Sequence, residues 1–288
     1  MENVDLHMHT VHSDGLLQVE EIIAKAKENN LFAISITDHD TVSGYKDLDI
    51  RSQGIEILPG TELLSNAGGC SIHVLCYGFD YDKMADFIAK NCPTRIDESR
   101  IKAKRVIKHF QNLGVDFDFD VDGYDYTIPG AWIFREFLAE LIKNPKAYQM
   151  LVEENPDFVT NDRPFTRKGL DNIHSKFFVD MSDVCASLKQ IREFCDQNHT
   201  LMFLAHPYEY GDNAEYILNI AKDYVDGIEV FHPTADGKKR KHLLAFAKEH
   251  NLMVCGGSDF HGFRGQINSE KVSKEIYDKI IDKLSKLH

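Results

Sequence analysis

No apolar run in this sequence approaches the roughly 18–20 residues that a bilayer-spanning helix needs, so a helical membrane protein is not expected. The opening Met1-Glu-Asn-Val-Asp-Leu-His-Met-His-Thr10 has no basic stretch running into an apolar one, the mark of a secretory leader. Cysteine is sparse: Cys70, Cys76, Cys92, Cys185, Cys195 and Cys255 are scattered and form no CxxC pair. That usage excludes a disulfide scaffold and a thiolate metal site, and it suits a reducing compartment. Positive charge is also short, with 33 Lys+Arg against 46 Asp+Glu and a formal net charge of −13. Wide capture of duplex DNA or of an anionic membrane is therefore not expected, whereas a small phosphorylated substrate could still sit in a local cationic pocket. The expectation is a soluble cytoplasmic protein without repeats or low-complexity segments.

What is present suffices for a folded core: 288 residues, 43% of them hydrophobic and 10% aromatic. That length fits one large α/β domain with a modest insertion. Short apolar runs alternate with amphipathic segments in two stretches, the pattern of parallel βα units. The first predicts strands at Val4–His7, Leu31–Ile36, Ile55–Leu58 and Ser71–Tyr77, with helices at Val19–Asn29 and Thr41–Gln53. The second predicts helices at Val184–Gln197, Ala214–Asp223 and Lys238–His250 and a closing helix, around strands at Leu201–Ala205, Gly227–Phe231 and Leu252–Cys255. Residues 81–179 read as a mostly helical insertion, with helices at Asp97–Leu113 and Ala131–Lys143, between barrel segments 1–80 and 180–288. Asp116–Asp122 alternates strictly and reads equally as a strand or as an acidic loop.

Histidine, aspartate and glutamate fall at the predicted strand ends. His7 and His9, two apart, share one face of the first strand, and Asp14 follows. His39 ends the second strand, Glu62 follows the third, His73 lies in the fourth, and His206, Asp259 and His261 close later ones. In parallel α/β barrels such positions converge on one face. Imidazoles and carboxylates together suit Mn²⁺, Zn²⁺ or Fe. Nine donors can hold two ions, or three if a carboxylate such as Glu62 bridges. Singly, each residue has a plainer reading: His73 as a structural histidine, Asp14 as a turn former, Asp40 as the cap of a helix beginning at Thr41. The capping role is preferred for Asp40. The joint pattern is what argues for metal.

The segments His7-Met-His9-Thr-Val-His-Ser-Asp-Gly15, Ile36-Thr-Asp-His-Asp-Thr-Val-Ser-Gly44, Gly60-Thr-Glu62, Ala205-His-Pro207 and Gly257-Ser-Asp-Phe-His-Gly262 resemble the ordered motifs of the PHP (polymerase and histidinol phosphatase) phosphoesterases. Thr37–Gly44 and Gly227-Ile-Glu-Val-Phe-His-Pro233 are most similar to the branch of nucleoside 3′,5′-bisphosphate phosphatases and 5′-to-3′ exoribonucleases. The resemblance implies a distorted (β/α)7 TIM-like barrel, the PHP fold, with two or three divalent ions (Mn, Fe or Zn). Carried over, His7, His9, Glu62 and Asp259 would hold the first ion, Glu62, His73 and His206 the second, and Asp14, His39 and His261 the third. Asp14, His39, Glu62 and His261 are thereby also catalytic candidates.

Phosphoester hydrolysis needs a nucleophile near neutral pH, and a metal can lower the pKa of bound water from 15.7 to about 7. A metal-bridging hydroxide is the expected nucleophile, and no GxSxG elbow competes with it. Arg95, Arg100, Lys104 and Arg105 line one predicted helix, where arginine can fork two phosphate oxygens. The branch implicates an arginine of this helix, best matched by Arg100, and a later Arg-Pro-His segment. Here that segment reads Ile128-Pro-Gly-Ala-Trp-Ile-Phe-Arg135, with Trp132 in the histidine's place. Trp132 can stack on a base or pack the helix, and Arg135 can restore a phosphate contact. His232 and Arg264 are further candidates for the substrate, and Glu229 for orienting a neighbour.

The expected function is hydrolysis of a phosphomonoester, of a nucleotide or nucleoside bisphosphate or at the 5′ end of a short single-stranded RNA. The alternatives are a phosphatase of another metabolite such as histidinol phosphate and a non-catalytic metal-binding module. Amide hydrolysis on an HxH barrel is disfavoured, because no lysine stands at a predicted strand end.

Overall fold

The computed structural model describes residues 2–126, 128 and 132–287. Its elements run β1 (Asn3–Asp5), α1 (Val19–Glu28), β2 (Leu31–Ile34), β3 (Glu56–Ile57), β4 (Gly60–Ala67), β5 (Cys70–Tyr77), α2 (Tyr81–Asn91), α3 (Arg95–Asn112), α4 (Ile133–Leu141) and α5 (Pro145–Glu154). They continue through α6 (Asp162–Pro164), α7 (Leu188–Gln197), β6 (Leu201–Leu204), α8 (Ala214–Ala221), β7 (Gly227–Phe231), α9 (Gly237–Glu249), β8 (Met253–Gly256), β9 (Val272–Ser273) and α10 (Lys274–Ser285). A π-helical turn, Phe165–Leu170, follows α6 directly. Among the described residues no helix is long and apolar enough to cross a membrane.

The strands form two sheets, β3-β2-β1-β9 and β4-β5-β6-β7-β8. Backbone contacts join them at both seams. Met8 bridges Phe260 and His39 bridges Glu62. At the first seam Leu6 N–H donates to the Gly256 carbonyl, Asp259 N–H to that of His7 and His9 N–H to that of Phe260. At the second, Glu62 N–H donates to the Asp38 carbonyl and Asp40 N–H to that of Glu62.

The sheets are not parallel throughout, which corrects the reading from βα alternation: β5 runs antiparallel to both β4 and β6. Gly68 and Gly69, at φ 57° and 92°, make the two-residue turn between β4 and β5. Positive φ at both central positions is what a tight hairpin requires. The strand β4 has no counterpart in the sequence reading, because Thr61, Glu62 and Ser65 look like loop residues. All three are fully buried.

The helix expected at Thr41–Gln53 is absent; two short 3₁₀ turns, Ser43–Tyr45 and Ile50–Ser52, stand there. Asp40 and Asp47 adopt φ of 48° and 63°, which breaks a helical path on both sides of Tyr45. Asp40 therefore caps nothing, and its carboxylate instead accepts the Leu64 N–H at 2.9 Å. Asp116–Asp122 forms turns and irregular chain rather than a strand.

Side-chain alternation sorts the core. Leu75 and Tyr77 of β5 join Val4, Leu6, Phe203 and Ala205 in one apolar cluster. Val74 and Cys76, on the other face, pack with Ile22, Leu204, Ile217 and Ile228 in a second. A third cluster draws only on residues 103–181, among them Phe110, Phe134, Phe137, Phe158, Phe165 and Phe177. Alternation also directs the polar residues. His73 follows Leu75 and Tyr77 in period two, and Glu62 stands opposite Leu75 in the β4–β5 register. Both side chains thus project on the same face of the sheet.

Candidate metal centre

All nine sequence-predicted donors meet in one cluster, six of them buried and Asp14, His39 and His73 half-buried. Glu62 is its hub. Its Oε2 lies 3.1 Å from His7 Nε2, 3.2 Å from His9 Nε2 and 3.4 Å from His39 Nδ1. Its Oε1 lies 2.7 Å from His206 Nε2 and 3.1 Å from His73 Nδ1. Asp259 Oδ1 approaches His9 Nε2 at 3.2 Å and His7 Nε2 at 3.5 Å. Asp14 Oδ1 approaches His261 Nε2 at 3.3 Å and His9 Nδ1 at 3.5 Å, and its Oδ2 stands 3.9 Å from His39 Nε2. Four overlapping sets have one ligand atom per residue within 4.8 Å of the others: His9–Asp14–His39–His261, His7–His9–Asp259, His7–Glu62–His206 and His39–Glu62–His73.

The donor chemistry fits divalent cations. His7 Nε2 faces His9 Nε2 at 3.1 Å, and His73 Nδ1 faces His206 Nε2 at 3.3 Å. Two imidazole nitrogens facing each other at this distance either share one proton or, both unprotonated, aim two lone pairs at a point a cation could occupy. Among the described residues, His9 Nδ1 and His206 Nδ1 are buried with no hydrogen-bond partner.

The electrostatics agree. Burial raises the cost of ionising Glu62, yet His39, His7 and His73 hold its carboxyl well below the usual range. Asp259 and Asp14 are lowered in the same way, against burial, by the surrounding imidazoles. Burial alone would lower His7 and His9. The carboxylates outweigh it, pushing His9 up to about 10 and His7 well above its ordinary value. Burial does prevail at His39 and His206, which are lowered. The cluster thus holds three anionic carboxylates and draws positive charge inward.

Buried acids brace the donors from behind. Glu229 on β7 accepts His7 Nδ1–H at 2.9 Å through Oε1 and the His206 N–H at 2.8 Å through Oε2. This is the neighbour-orienting geometry expected for Glu229. Asp38 accepts the Thr10 N–H at 2.7 Å and the Thr10 and Ser13 hydroxyls at 2.6 Å, which shapes the loop carrying Asp14. Asp5 accepts the N–H groups of Ser258 and Asn268, and burial raises its carboxyl to about 6. Sequence reasoning gave Asp38 and Asp5 no part in the site, although Asp38 stands inside the Thr37–Asp40 motif.

The substrate candidates divide. His232 is buried with Nε2 3.5 Å from Asp259 Oδ2, and Arg264 donates to that same oxygen at 2.5 Å. Arg100 instead lies over the Tyr126 ring and 3.8 Å from Asp97, and exposed Arg135 stands 3.5 Å from Asp162. Lys104 and Arg105 pair with Asp122 and Asp183. Of the arginines on α3, Arg95 is the one that reaches the cluster, 2.7 Å from Asp14 Oδ2. At ~100° per residue, Arg95 and Arg100 point about 140° apart on α3, so both cannot face one site. Trp132 is half-buried with its ring edge-on to Phe134 at 5.1 Å. Pro129, Gly130 and Ala131 of the Ile128–Arg135 segment lie outside the described residues.

The family model described as "PHP domain" matches residues 5–287. A "5'-3' exoribonuclease" of Haemophilus influenzae is 24% identical over 289 residues, covering 96% of each chain. A "3',5'-nucleoside bisphosphate phosphatase" of Chromobacterium violaceum is 26% identical over 268 residues, covering 91% of this chain and 88% of its own. Among solved structures, a metal-dependent phosphoesterase of Bifidobacterium adolescentis superposes with a TM-score of 0.64 at 21% identity, covering 98% of this chain and 96% of its own. At that identity the superposition speaks for the fold.

Proposed function

Because the chain belongs to the PHP domain family, we propose that it hydrolyses a phosphate ester of a nucleotide, either a nucleoside 3′,5′-bisphosphate or the 5′ end of a short RNA, with two or three divalent ions. The observation that carries this reading is Glu62, one carboxylate with five imidazole nitrogens at 2.7–3.4 Å. A carboxylate so surrounded would hold a divalent cation together with those imidazoles. The proposed ligands are His7, His9, Asp14, His39, Glu62, His73, His206, Asp259 and His261. Bound there, the ions supply activated water near neutral pH and neutralise phosphate charge.

The chain's own residues do the rest. By accepting His7 Nδ1–H, Glu229 would leave Nε2 of the neutral imidazole free to hold a cation beside Glu62. Arg95 and Arg264, each held by a cluster carboxylate, bring cationic N–H donors to the rim, where phosphate oxygens would arrive. His232, between Thr234 and Asp259, is positioned to hand a proton toward the leaving oxygen. Arg100 and Arg135, directed elsewhere, would touch only a longer substrate.

We read the two sheets, stitched at both seams, as the distorted barrel of the family, and residues 81–179 as the insertion that shapes recognition. The six free cysteines suit cytoplasmic work. The test is phosphate release by the Mn²⁺-loaded chain from adenosine 3′,5′-bisphosphate, AMP, 3′-AMP, a 5′-phosphorylated oligoribonucleotide and histidinol phosphate, with Glu62→Ala as control. Release from the bisphosphate or RNA that is lost in the control supports the reading. Release from histidinol phosphate alone refutes the nucleotide assignment.

A further inference from the structure

A cavity of about 300 Å³ opens beside the metal centre, between the π-helical turn Phe165–Leu170 and the 3₁₀ segment Pro207–Asn213. Its volume is at the lower end for a small-molecule site. It shares two walls with the cluster. Tyr210 lines it, with its ring 5.6 Å from that of His206 and its hydroxyl accepting the His73 N–H at 2.8 Å. Thr234 lines it too, and its hydroxyl lies 2.8 Å from His232 Nδ1.

The lining is cationic in an acidic protein. Arg163, Arg167 and Lys168 face it against Glu209 and Asp212, a local surplus of one positive charge where the whole chain carries −13. Glu209 is nearly buried and holds both guanidiniums, Arg163 at 2.8 Å and Arg167 at 3.4 Å. Among the described residues, each arginine spends one hydrogen bond on Glu209. A guanidinium has five N–H donors in a planar fork, so both keep donors for an oxyanion. Arg167 is carried by a π turn, a rare geometry that is frequent at functional sites.

We propose that this cavity binds a second phosphoryl group of the substrate, the one that is not cleaved, through Arg163 and Arg167. The inference rests on the nucleotide reading above and narrows it: a substrate with two phosphoryl groups, whether a bisphosphate or an RNA strand, is preferred to a monophosphate.

Two measurements test it. In the first, kcat/KM of the Mn²⁺-loaded chain is compared for adenosine 3′,5′-bisphosphate, a 5′-phosphorylated dinucleotide and p-nitrophenyl phosphate. Loss of a charge-assisted fork predicts that Arg167→Ala and Arg163→Ala lose about tenfold or more on the first two relative to the third, through KM. Arg167→Lys should recover part of that loss. Equal losses on all three would make the arginines a mere clip between elements and overturn the proposal. The dinucleotide and bisphosphate arms distinguish RNA from a free nucleotide as the source of the phosphate. In the second, the chelator-treated chain is titrated with adenosine 3′,5′-bisphosphate by calorimetry. Binding weakened about tenfold in either variant supports the site even if no ester is cleaved, the result in which only the nucleotide-hydrolase reading fails. Binding unchanged in both variants overturns the proposal. Should Arg167→Ala fail to fold by circular dichroism, the more exposed Arg163 carries both measurements.

Discussion

Replacing Glu229 by Gln should weaken metal binding without unfolding the chain. Glu229 contributes no atom to the four ligand sets, yet it fixes two of their members. Its carboxylate accepts at both oxygens, from His7 Nδ1–H at 2.9 Å and from the His206 backbone at 2.8 Å. Glutamine accepts at only one end. If its carbonyl keeps the His206 contact, its NH₂ faces His7 Nδ1 and forces the opposite tautomer, with the proton on Nε2. That proton would then sit between His7 and Glu62, 3.1 Å apart, where a cation should be. Partners of this kind typically change metal affinity by 10–100-fold, or about 1.4–2.7 kcal/mol. The assay is competitive Mn²⁺ titration against a chromophoric chelator, with circular dichroism to verify the fold. Affinity within about twofold of wild type in a folded Glu229→Gln chain would refute the tautomer argument.

Two further outcomes follow from packing and charge. Arg163, Arg167 and His206 hold the Glu209 carboxyl near 2 against burial. Its stabilisation is therefore present above about pH 4.5 and is lost as pH falls toward 2. Glu209→Gln should cost at most about 3 kcal/mol at pH 7 and much less at pH 3, read from urea midpoints; an equal cost at both would contradict the ion-pair account. A methyl group at Gly227 would lie 2.3 Å from the Phe203 ring and 2.7 Å from the Met253 carbonyl. Gly227→Ala should destabilise the sheet by roughly 1–3 kcal/mol in the same assay, and an unchanged midpoint would show that β6 and β8 can separate freely.

The nine clustered donors were legible because strand ends are short and chemically loud. An HxH pair after an apolar run, or a Ser-Asp-Phe-His after Val-Cys-Gly-Gly, leaves little choice of where the donors sit. β7 was readable end to end for the same reason. The strand β4 was illegible, since the polar Thr61, Glu62 and Ser65 interrupt its apolar pattern; all three are buried, Glu62 on the face of the site and Thr61 and Ser65 on the opposite one. The helix expected after His39 failed at the positive-φ residues Asp40 and Asp47, which local propensity does not reveal. The arginine row on α3 gave the right helix, but facing depends on how α3 packs through Ala103, Val106 and Phe110. That packing turns Arg95, not Arg100, toward Asp14. Asp38 and Asp5 escaped because a buried acid that organises a loop leaves no spacing signature. The cavity beside the centre joins residues more than forty positions apart, which periodicity cannot connect.

The central claim is that one nine-residue cluster holds the ions that cleave phosphate esters. Its most direct test is phosphate release from adenosine 3′,5′-bisphosphate by the chelator-stripped chain, before and after stepwise addition of Mn²⁺. The account predicts negligible release without metal, recovery that saturates at two or three equivalents per chain, and no recovery in Glu62→Ala. Undiminished release from stripped protein, or full recovery in Glu62→Ala, would contradict it.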